Sequence, residues 1–336
     1  MIHTDYKSHE TQKNRAPAEN EPLVSVVLAT YNGEQFLREQ LDSIVNQSYR
    51  KLEILVQDDR STDSTLSILC AYETRDSRIC VQQNQINLGI NKNFYDLIEK
   101  ANGEYIAISD QDDVWDLHKI ETLLDKIGNH SLIYTDSHLI DKSGRPMGET
   151  LLKRNKLLPR SGRFMTNFLS VNVIAGHACL FNKSILSSIR SFNSQGLQFS
   201  YSYDALIGTI ASFHGGIKFF DRELTFHRLH ETNNCHKFNL KKKKDRFLHF
   251  LSRKQRRVER ILLEKKRRRL FMTHIFDICL SSSPNPFTQE YFSYDKYSHR
   301  VFSFRLYQSL VTLGINRKEA SSLSLGNYFY LILRLF

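Results

Sequence analysis

Apolar and polar positions alternate between two periods along the first 130 residues. Leu23 to Ala29, rich in valine, predicts a buried parallel strand. Thr30-Tyr31-Asn32-Gly33 turns the chain into a helix over Glu34 to Asn46, with Phe36, Leu37, Leu41, Ile44 and Val45 at helical spacing. Leu52 to Gln57 is a second strand. The polar turn Asp58 to Asp63 follows, with Asp63 or Ser61 placed to cap a helix over Thr65 to Tyr72. Arg78 to Gln82 is a short third strand, and Asn87-Leu88-Gly89 leads into a helix over Asn91 to Ala101. Tyr105 to Ile108 is a fourth strand, and Asp116 to Ile127 a helix. Strands and helices joined by short connections predict a doubly wound, mostly parallel α/β sheet flanked by helices.

The pattern then loosens. Leu132 to Tyr134 reads as a strand and Asp141 to Pro146 as a hairpin turn. Phe164 to Leu169, Val171 to Ala175 and Ala178 to Asn182 form an apolar, small-residue region. Lys183 to Phe192 reads as a helix, Asp204 precedes a further apolar segment, and Gly216 to Phe220 reads as a strand. From His236 to Leu270 there is no Gly or Pro, and sixteen Lys/Arg face three acids, a local +13. Phe247, Leu251, Val258, Ile261 and Leu262 give this stretch a narrow apolar stripe. The expected organisation is a polar, disordered lead-in over 1–21 and an α/β domain over 22–235. A basic, aromatic-rich helical region follows over 236–336. The domain itself divides into halves at 22–136 and 137–235.

Charge adds the first chemistry. Asp110, Asp112 and Asp113 fall within four residues, directly after a predicted buried strand. Asp58 and Asp59 follow another. Parallel strands bring both turns to one sheet edge, the edge where open α/β sheets bind ligands. Crowded carboxylates need a counter-ion, and Mg²⁺ or Mn²⁺ suits them and can hold a diphosphate. The plainer alternative is a solvated acidic turn with Asp116 capping the next helix. Neither GxGxxG nor GKS/T is present, so the sheet lacks the dinucleotide and P-loop signatures.

The whole chain carries a formal +11, so the rest sums to about −2 once the +13 segment is set apart. Five scattered cysteines form no CxxC pair and suggest no disulfide framework. A reducing, cytoplasmic setting is expected. Residues 1–21 lack the apolar core of a signal peptide, and no apolar run approaches the ~20 residues of a membrane span.

Taken together, Val24 to Asn32, Gln47, Val56 to Asp63 and the Asp110 cluster resemble family 2 glycosyltransferases, over roughly residues 22 to 235. One departure is Arg60, where the common motif has Gly. The DQDD sequence followed by Val114-Trp115, with Asn87-Leu88-Gly89 upstream, resembles the rhamnosyltransferase-like branch. The resemblance implies a GT-A-type fold, a nucleoside-diphosphate sugar donor, a divalent cation and inversion at the anomeric carbon. The acceptor implied is a bacterial surface polysaccharide, such as lipopolysaccharide or capsule, or its lipid-linked precursor. Carried onto this chain, it puts Ala29 and Tyr31 around the nucleotide base and Asp59 in hydrogen bond to it. Asp110 joins the nucleotide contacts, Asp112 and His230 meet the metal, and Asp113 meets the diphosphate or sugar. Asp204, just before a helix, takes the place of the base.

The chemistry itself asks for the same residue types. A single displacement needs a base facing the anomeric carbon, which Asp204 supplies, and positive charge on the leaving diphosphate. Arg228 and His230 are candidates for that charge, and Trp115 for the wall of the sugar site, with core packing as its alternative. dTDP-rhamnose is the donor the branch suggests. UDP-hexoses and a non-catalytic sugar- or lipid-binding scaffold are the competing readings. The basic segment reads as a solvated helix, a nucleic-acid patch or a membrane-surface element. No nucleic-acid-reading module accompanies it, which disfavours the second. Its stripe and aromatic tail fit an anionic bilayer, hence a peripheral position on the inner face of the plasma membrane.

Overall fold

The computed structural model describes residues 21–162, 172–194 and 202–231. The expected lead-in, the Phe164 to Leu169 stretch and the basic 236–336 region lie outside the described residues, apart from Glu21.

The first half follows the sequence pattern closely. β1 (Val24–Thr30), α1 (Leu37–Val45), β2 (Leu52–Asp58), α2 (Thr65–Arg75), β3 (Ile79–Gln83), α3 (Ile90–Lys100) and β4 (Tyr105–Ser109) alternate as expected. Then come β5 (Val114–Trp115), α4 (Lys119–Ile127), β6 (Leu132–Ile140), β7 (Pro146–Thr150) and α5 (Leu151–Asn155). After a short 3₁₀ turn at Gly176–Ala178, β8 (Cys179–Asn182), α6 (Leu186–Ser194), α7 (Tyr203–His214) and β9 (Ile217–Arg228) complete the described fold.

All nine strands form one sheet, in the order β3-β2-β1-β4-β8-β6-β9-β5, with β7 pairing β6. β3, β2, β1 and β4 are mutually parallel, and β8 enters antiparallel between β4 and β6. The register aligns Thr30 with Asp58, and Leu28 with Ser109. The turns after β1, β2 and β4 therefore emerge along one edge.

Helices cover both faces. α1, α2 and α4 bury Leu37, Leu41, Ile44, Leu69, Ile120 and Leu123 on one side. α3, α6 and α7 bury Phe94, Leu97, Ile98, Ile189, Leu206 and Ile210 on the other. α1 has no side-chain N-cap bond. A missing cap costs roughly 1 kcal/mol, whereas each fully buried Leu or Ile contributes roughly 1.5–3, so packing decides that this helix forms.

Two expectations change. The helix expected from Asp116 begins at Lys119, because Val114 and Trp115 are extended and pair with Phe226 and Thr225 of β9. Asp116 instead accepts from the His118 N–H at 2.8 Å. β9 runs far past the expected Phe220, to Arg228, and so carries its last residues to the acidic edge.

Candidate functional site

The two acidic turns meet the end of β1 as the sequence suggests, but their side chains divide between internal and outward work. Asp58 is fully buried and is bonded by Thr30 Oγ1, Ser61 and Gln83. Asp59 is also buried. Its Oδ1 accepts from Asn84 Nδ2 at 2.8 Å and Leu88 N at 2.7 Å, and its Oδ2 from Gly89 N at 2.8 Å. Both oxygens expected at a nucleotide base are thus engaged in closing the Asn87–Gly89 turn. Gly89 sits at φ 82°, where a side chain is strained, which explains the glycine. Arg60 adopts φ 61°, the region that makes glycine common at this place in related motifs, and its guanidinium bonds Gln85 O.

Tyr31 is half exposed, and its backbone is held at both ends by one side chain. Gln111 Oε1 accepts from Tyr31 N at 2.8 Å, and Gln111 Nε2 donates to Tyr31 O at 3.0 Å. A Cβ on Gly33 would fall 2.5 Å from Gln111 Oε1, so a side chain here would displace the Gln111 amide from Tyr31. Ala29, two residues earlier in β1, is half-buried against the core. Gln47 secures the far end of the acidic loop: its Nε2 donates to Asp116 O and its Oε1 accepts from Ile120 N.

Within the DQDD loop, each carboxylate lies against a histidine, and Asp110 and Asp113 share His177. Asp112 Oδ2 lies 2.8 Å from His230 Nε2. Burial pushes the Asp112 carboxyl up, and the charges of Asp113 and Asp110 push it further, against the His230 hydrogen bond. Asp110 Oδ2 lies 3.3 Å from His177 Nδ1. Asp113 is fully buried, with Oδ1 2.8 Å from His227 Nδ1 and Oδ2 3.5 Å from His177 Nδ1. Burial alone would raise Asp113, but the charges of His227 and His177 overturn that and hold it well below the usual carboxylate range. Burial lowers His227, and Asp113 reverses this, carrying it to about 9.

Asp113, His177 and His227 bring three ligand-type atoms within 4.8 Å of one another. The two imidazoles are stacked, with centroids 4.5 Å apart and planes 7° apart. In-plane lone pairs on parallel rings run side by side and do not converge at the ~2.0–2.1 Å of a metal–nitrogen bond. Two oxygens of one carboxylate can face both rings. The group is therefore a buried carboxylate flanked by two imidazoles: Asp113 Oδ1 bonds His227 of β9, Oδ2 has no hydrogen-bond partner among the described residues, and His177 of the Gly176–Ala178 turn bonds the loop at Asp110. His177 and His227 were not singled out by the sequence reading.

Arg228 and Trp115 are placed differently from expectation. Arg228 is 1% exposed: its Nε donates to Asp112 O at 2.9 Å, its Nη1 to Lys142 O at 3.2 Å, and its Nη2 pairs with Glu39. Its guanidinium also lies over the Phe36 ring. Its cation braces the acidic loop from behind. Trp115 is 3% exposed and packs in the core, with the Lys119 ammonium 3.7 Å from its ring centroid. Among the two alternatives given for Trp115, core packing is the one realised.

Asp204 opens α7. Burial raises its carboxyl above the ordinary value, and the charge of Asp110 adds to this, opposed by hydrogen bonds from Ser202 and the Ala205 N–H. The structure therefore gathers Asp110, Asp112, Asp113, Arg228 and His230 around one loop, with Asp204 within electrostatic reach of Asp110.

A family model described as glycosyl transferase family 2 matches residues 25–190. An uncharacterized glycosyltransferase of Haemophilus influenzae is 43% identical over 112 residues, 32% of this chain and 34% of that protein. The dTDP-rhamnosyl transferase RfbG of Shigella flexneri is 31% identical over 217 residues, 61% of this chain and 72% of that protein. The chain thus spans about a third of the first relative's length and nearly three quarters of the second's. A mannosyltransferase from Pyrobaculum calidifontis, solved with GDP-Man and Mn²⁺, shares 15% identity at a TM-score of 0.50, over 94% of this chain and 90% of that one. The fold is of the GT-A, Rossmann-like type, and the chain belongs to glycosyl transferase family 2.

Proposed function

We propose that the protein is an inverting, divalent-cation-dependent transferase that moves a sugar from a nucleoside-diphosphate donor to a saccharide or lipid-linked saccharide of a bacterial surface polysaccharide. The observation that carries this reading is the pairing of Asp112 with His230 beside Asp110 on the ligand edge of the sheet, with Asp204 within electrostatic reach of Asp110. dTDP-rhamnose is the donor we favour, on the DQDD-Val-Trp sequence and the name of the Shigella relative. Residues 22–136 form the donor half, 137–235 the acceptor half, and 236–336 a region that holds the enzyme at the cytoplasmic face of the membrane. Among the described residues, no helix is long and apolar enough to cross a membrane.

The residues present fit a hard cation. Asp112 is a buried carboxyl that two neighbouring carboxylates push toward protonation, and a cation there relieves that repulsion. Asp112, Asp110 and the imidazole of His230 would hold Mg²⁺ or Mn²⁺, which when bound supplies positive charge to the departing diphosphate. The chain's own residues do the rest. Tyr31, fixed by Gln111, offers an exposed ring to the base, and Asp59 shapes that end of the site through the Asn87–Gly89 turn. Asp204 accepts the acceptor hydroxyl proton as the new carbon–oxygen bond forms and the sugar–diphosphate bond breaks. Its raised pKa makes it a stronger base than an exposed carboxylate, nearer the optimum for general-base work.

The test is transfer or donor hydrolysis by the full chain over a panel of dTDP-, UDP- and GDP-sugars with Mg²⁺, Mn²⁺ or chelator. Turnover with dTDP-rhamnose and a cation supports the reading. Turnover only with a UDP-hexose moves the donor, and none with any donor leaves a binding scaffold.

A further inference from the structure

We propose that the segment Lys142 to Arg160 is a membrane-contacting finger that seats on an anionic lipid surface. It is distinct from the basic 236–336 region and does not rest on the assignment of the donor. Six Lys/Arg face one acid in this segment, Glu149, giving +5 by difference. Arg145 pairs with Asp141 and Arg154 with Glu149. Lys142, Lys153, Lys156 and Arg160 are exposed and make no ion pair among the described residues. Among them stand two large apolar side chains in solvent, Leu158 at 74% exposure and Met147 at 42%.

A scattered exposed leucine is ordinary, and a solvated basic loop is too. Here the backbone is pinned, so the segment is presented without a backbone ordering cost on binding. Leu152 is buried, and its N–H donates to Asp136 Oδ1 at 3.0 Å. Leu157 N donates to Leu152 O at 2.9 Å. Tyr134 Oη accepts from Arg160 N at 2.8 Å and donates to Arg160 O at 3.1 Å. Gly162 then pairs with Ile217 of β9. Exposed cations without an ion pair among the described residues, on the same segment as an exposed leucine, match a surface that is negative outside and apolar beneath, which is an anionic bilayer. A soluble polyanion would satisfy the charge and leave Leu158 and Met147 in water.

The full-length L158W variant tests this at the residue concerned. Trp115 is the chain's single tryptophan and is 3% exposed, so it gives a constant background. With vesicles of phosphatidylcholine and phosphatidylglycerol, L158W emission should shift to the blue and be quenched by brominated acyl chains; with phosphatidylcholine alone it should not. A companion K153Q/K156Q/R160Q variant should partition on the order of a hundredfold more weakly, at about 1 kcal/mol per cation near the surface. Sedimentation of L158W with anionic vesicles and no change in emission would show attachment elsewhere and overturn the proposal. Absence of sedimentation, or a shift with heparin or DNA and none with vesicles, overturns it equally.

Discussion

His230 Nε2 and Asp112 Oδ2 lie 2.8 Å apart, although 118 positions separate the two residues in sequence. The length of β9 makes this contact: a strand ending at Phe220 would leave His230 far from the acidic edge. The Phe36 ring packs against the imidazole, with centroids 4.8 Å apart, and fixes its place. If the pair holds the cation, His230→Ala should raise the Mn²⁺ concentration for half-maximal donor turnover at least tenfold, with little change in melting temperature. Asp112→Ala should abolish cation-dependent donor binding altogether. Calorimetric Mn²⁺ and donor titrations check both, and an unchanged Mn²⁺ response in His230→Ala would remove this histidine from the cation site.

Asp204→Asn should fold and bind donor as the parent does, yet lose transfer, since an amide keeps the shape and takes no proton. Retention of even a tenth of the rate, about 1.4 kcal/mol of barrier, would place the base elsewhere. The pH profile adds a sign. A base must be ionised, and burial with the Asp110 charge raises the Asp204 pKa. Transfer should therefore fall as pH drops through a value above the ordinary carboxylate range, about 4, with a slope of about tenfold per unit. An acid limb centred at or below 4 would contradict this assignment.

The Asp113–His227 pair should be felt in stability, measured in chelator. His227 is raised to about 9, so its contribution is complete below its ordinary value and is lost as pH rises through 9. Asp113 is depressed, so its contribution is complete above the ordinary carboxylate value and is lost as pH falls toward its folded-state pKa. Lys119 acts in the opposite direction to His227. Burial lowers it to about 7, so between that value and its ordinary one the unfolded state binds more protons and stability rises with pH. The alkaline loss is therefore best read in Lys119→Met, where urea midpoints should decline between pH 7 and 10 more steeply than in the parent. Asp113→Asn should cost about 3–5 kcal/mol near neutrality, because it leaves a buried imidazolium without its counter-charge. A cost under 1 kcal/mol would show that the pair is not ionised.

The parts of this site that were legible in sequence are those with a local cause. Val24 to Ala29 and Tyr105 to Ile108 announce buried parallel strands by composition alone, and Asp110, Asp112 and Asp113 stand out by crowding. Asp204 stands out as an acid ahead of an apolar segment, and the structure puts it in the first turn of α7. The missed residues act through distant partners. His177 sits between small residues in Gly176-His177-Ala178, with no periodicity to mark it. Asp221-Arg222-Glu223 reads as a strand end, yet the structure keeps β9 extended across these positions, beside register shifts in β6 near Asp136. β5 has two residues, too few to show a period. Residue type leaves Trp115 between sugar-site wall and core and points Arg228 to the diphosphate; packing puts Trp115 in the core and turns Arg228 inward.

Arg228 is where that difference has the largest functional consequence. Its guanidinium reaches three separate parts of the chain: Asp112 O in the acidic loop, Lys142 O in the β6–β7 hairpin and Glu39 on α1. A lysine keeps the charge and the approximate length but offers one ammonium in place of a planar fork, so it cannot hold all three. One of those partners is the backbone carbonyl of Asp112, the same residue whose carboxylate is proposed for the cation. A displacement of about 1 Å at such a position can cost on the order of a hundredfold in rate. Arg228→Lys should therefore lower kcat by ten- to a hundredfold while the fold, followed by circular dichroism, persists. Glu39→Gln leaves the Asp112 and Lys142 bonds in place and should cost far less, under tenfold. Steady-state kinetics at saturating donor and Mn²⁺ separate the two. Equal, small losses in both variants would mean that Arg228 serves only as a buried counter-ion to Glu39. A loss confined to donor KM in Arg228→Lys would return the guanidinium to the diphosphate, where its residue type alone had placed it.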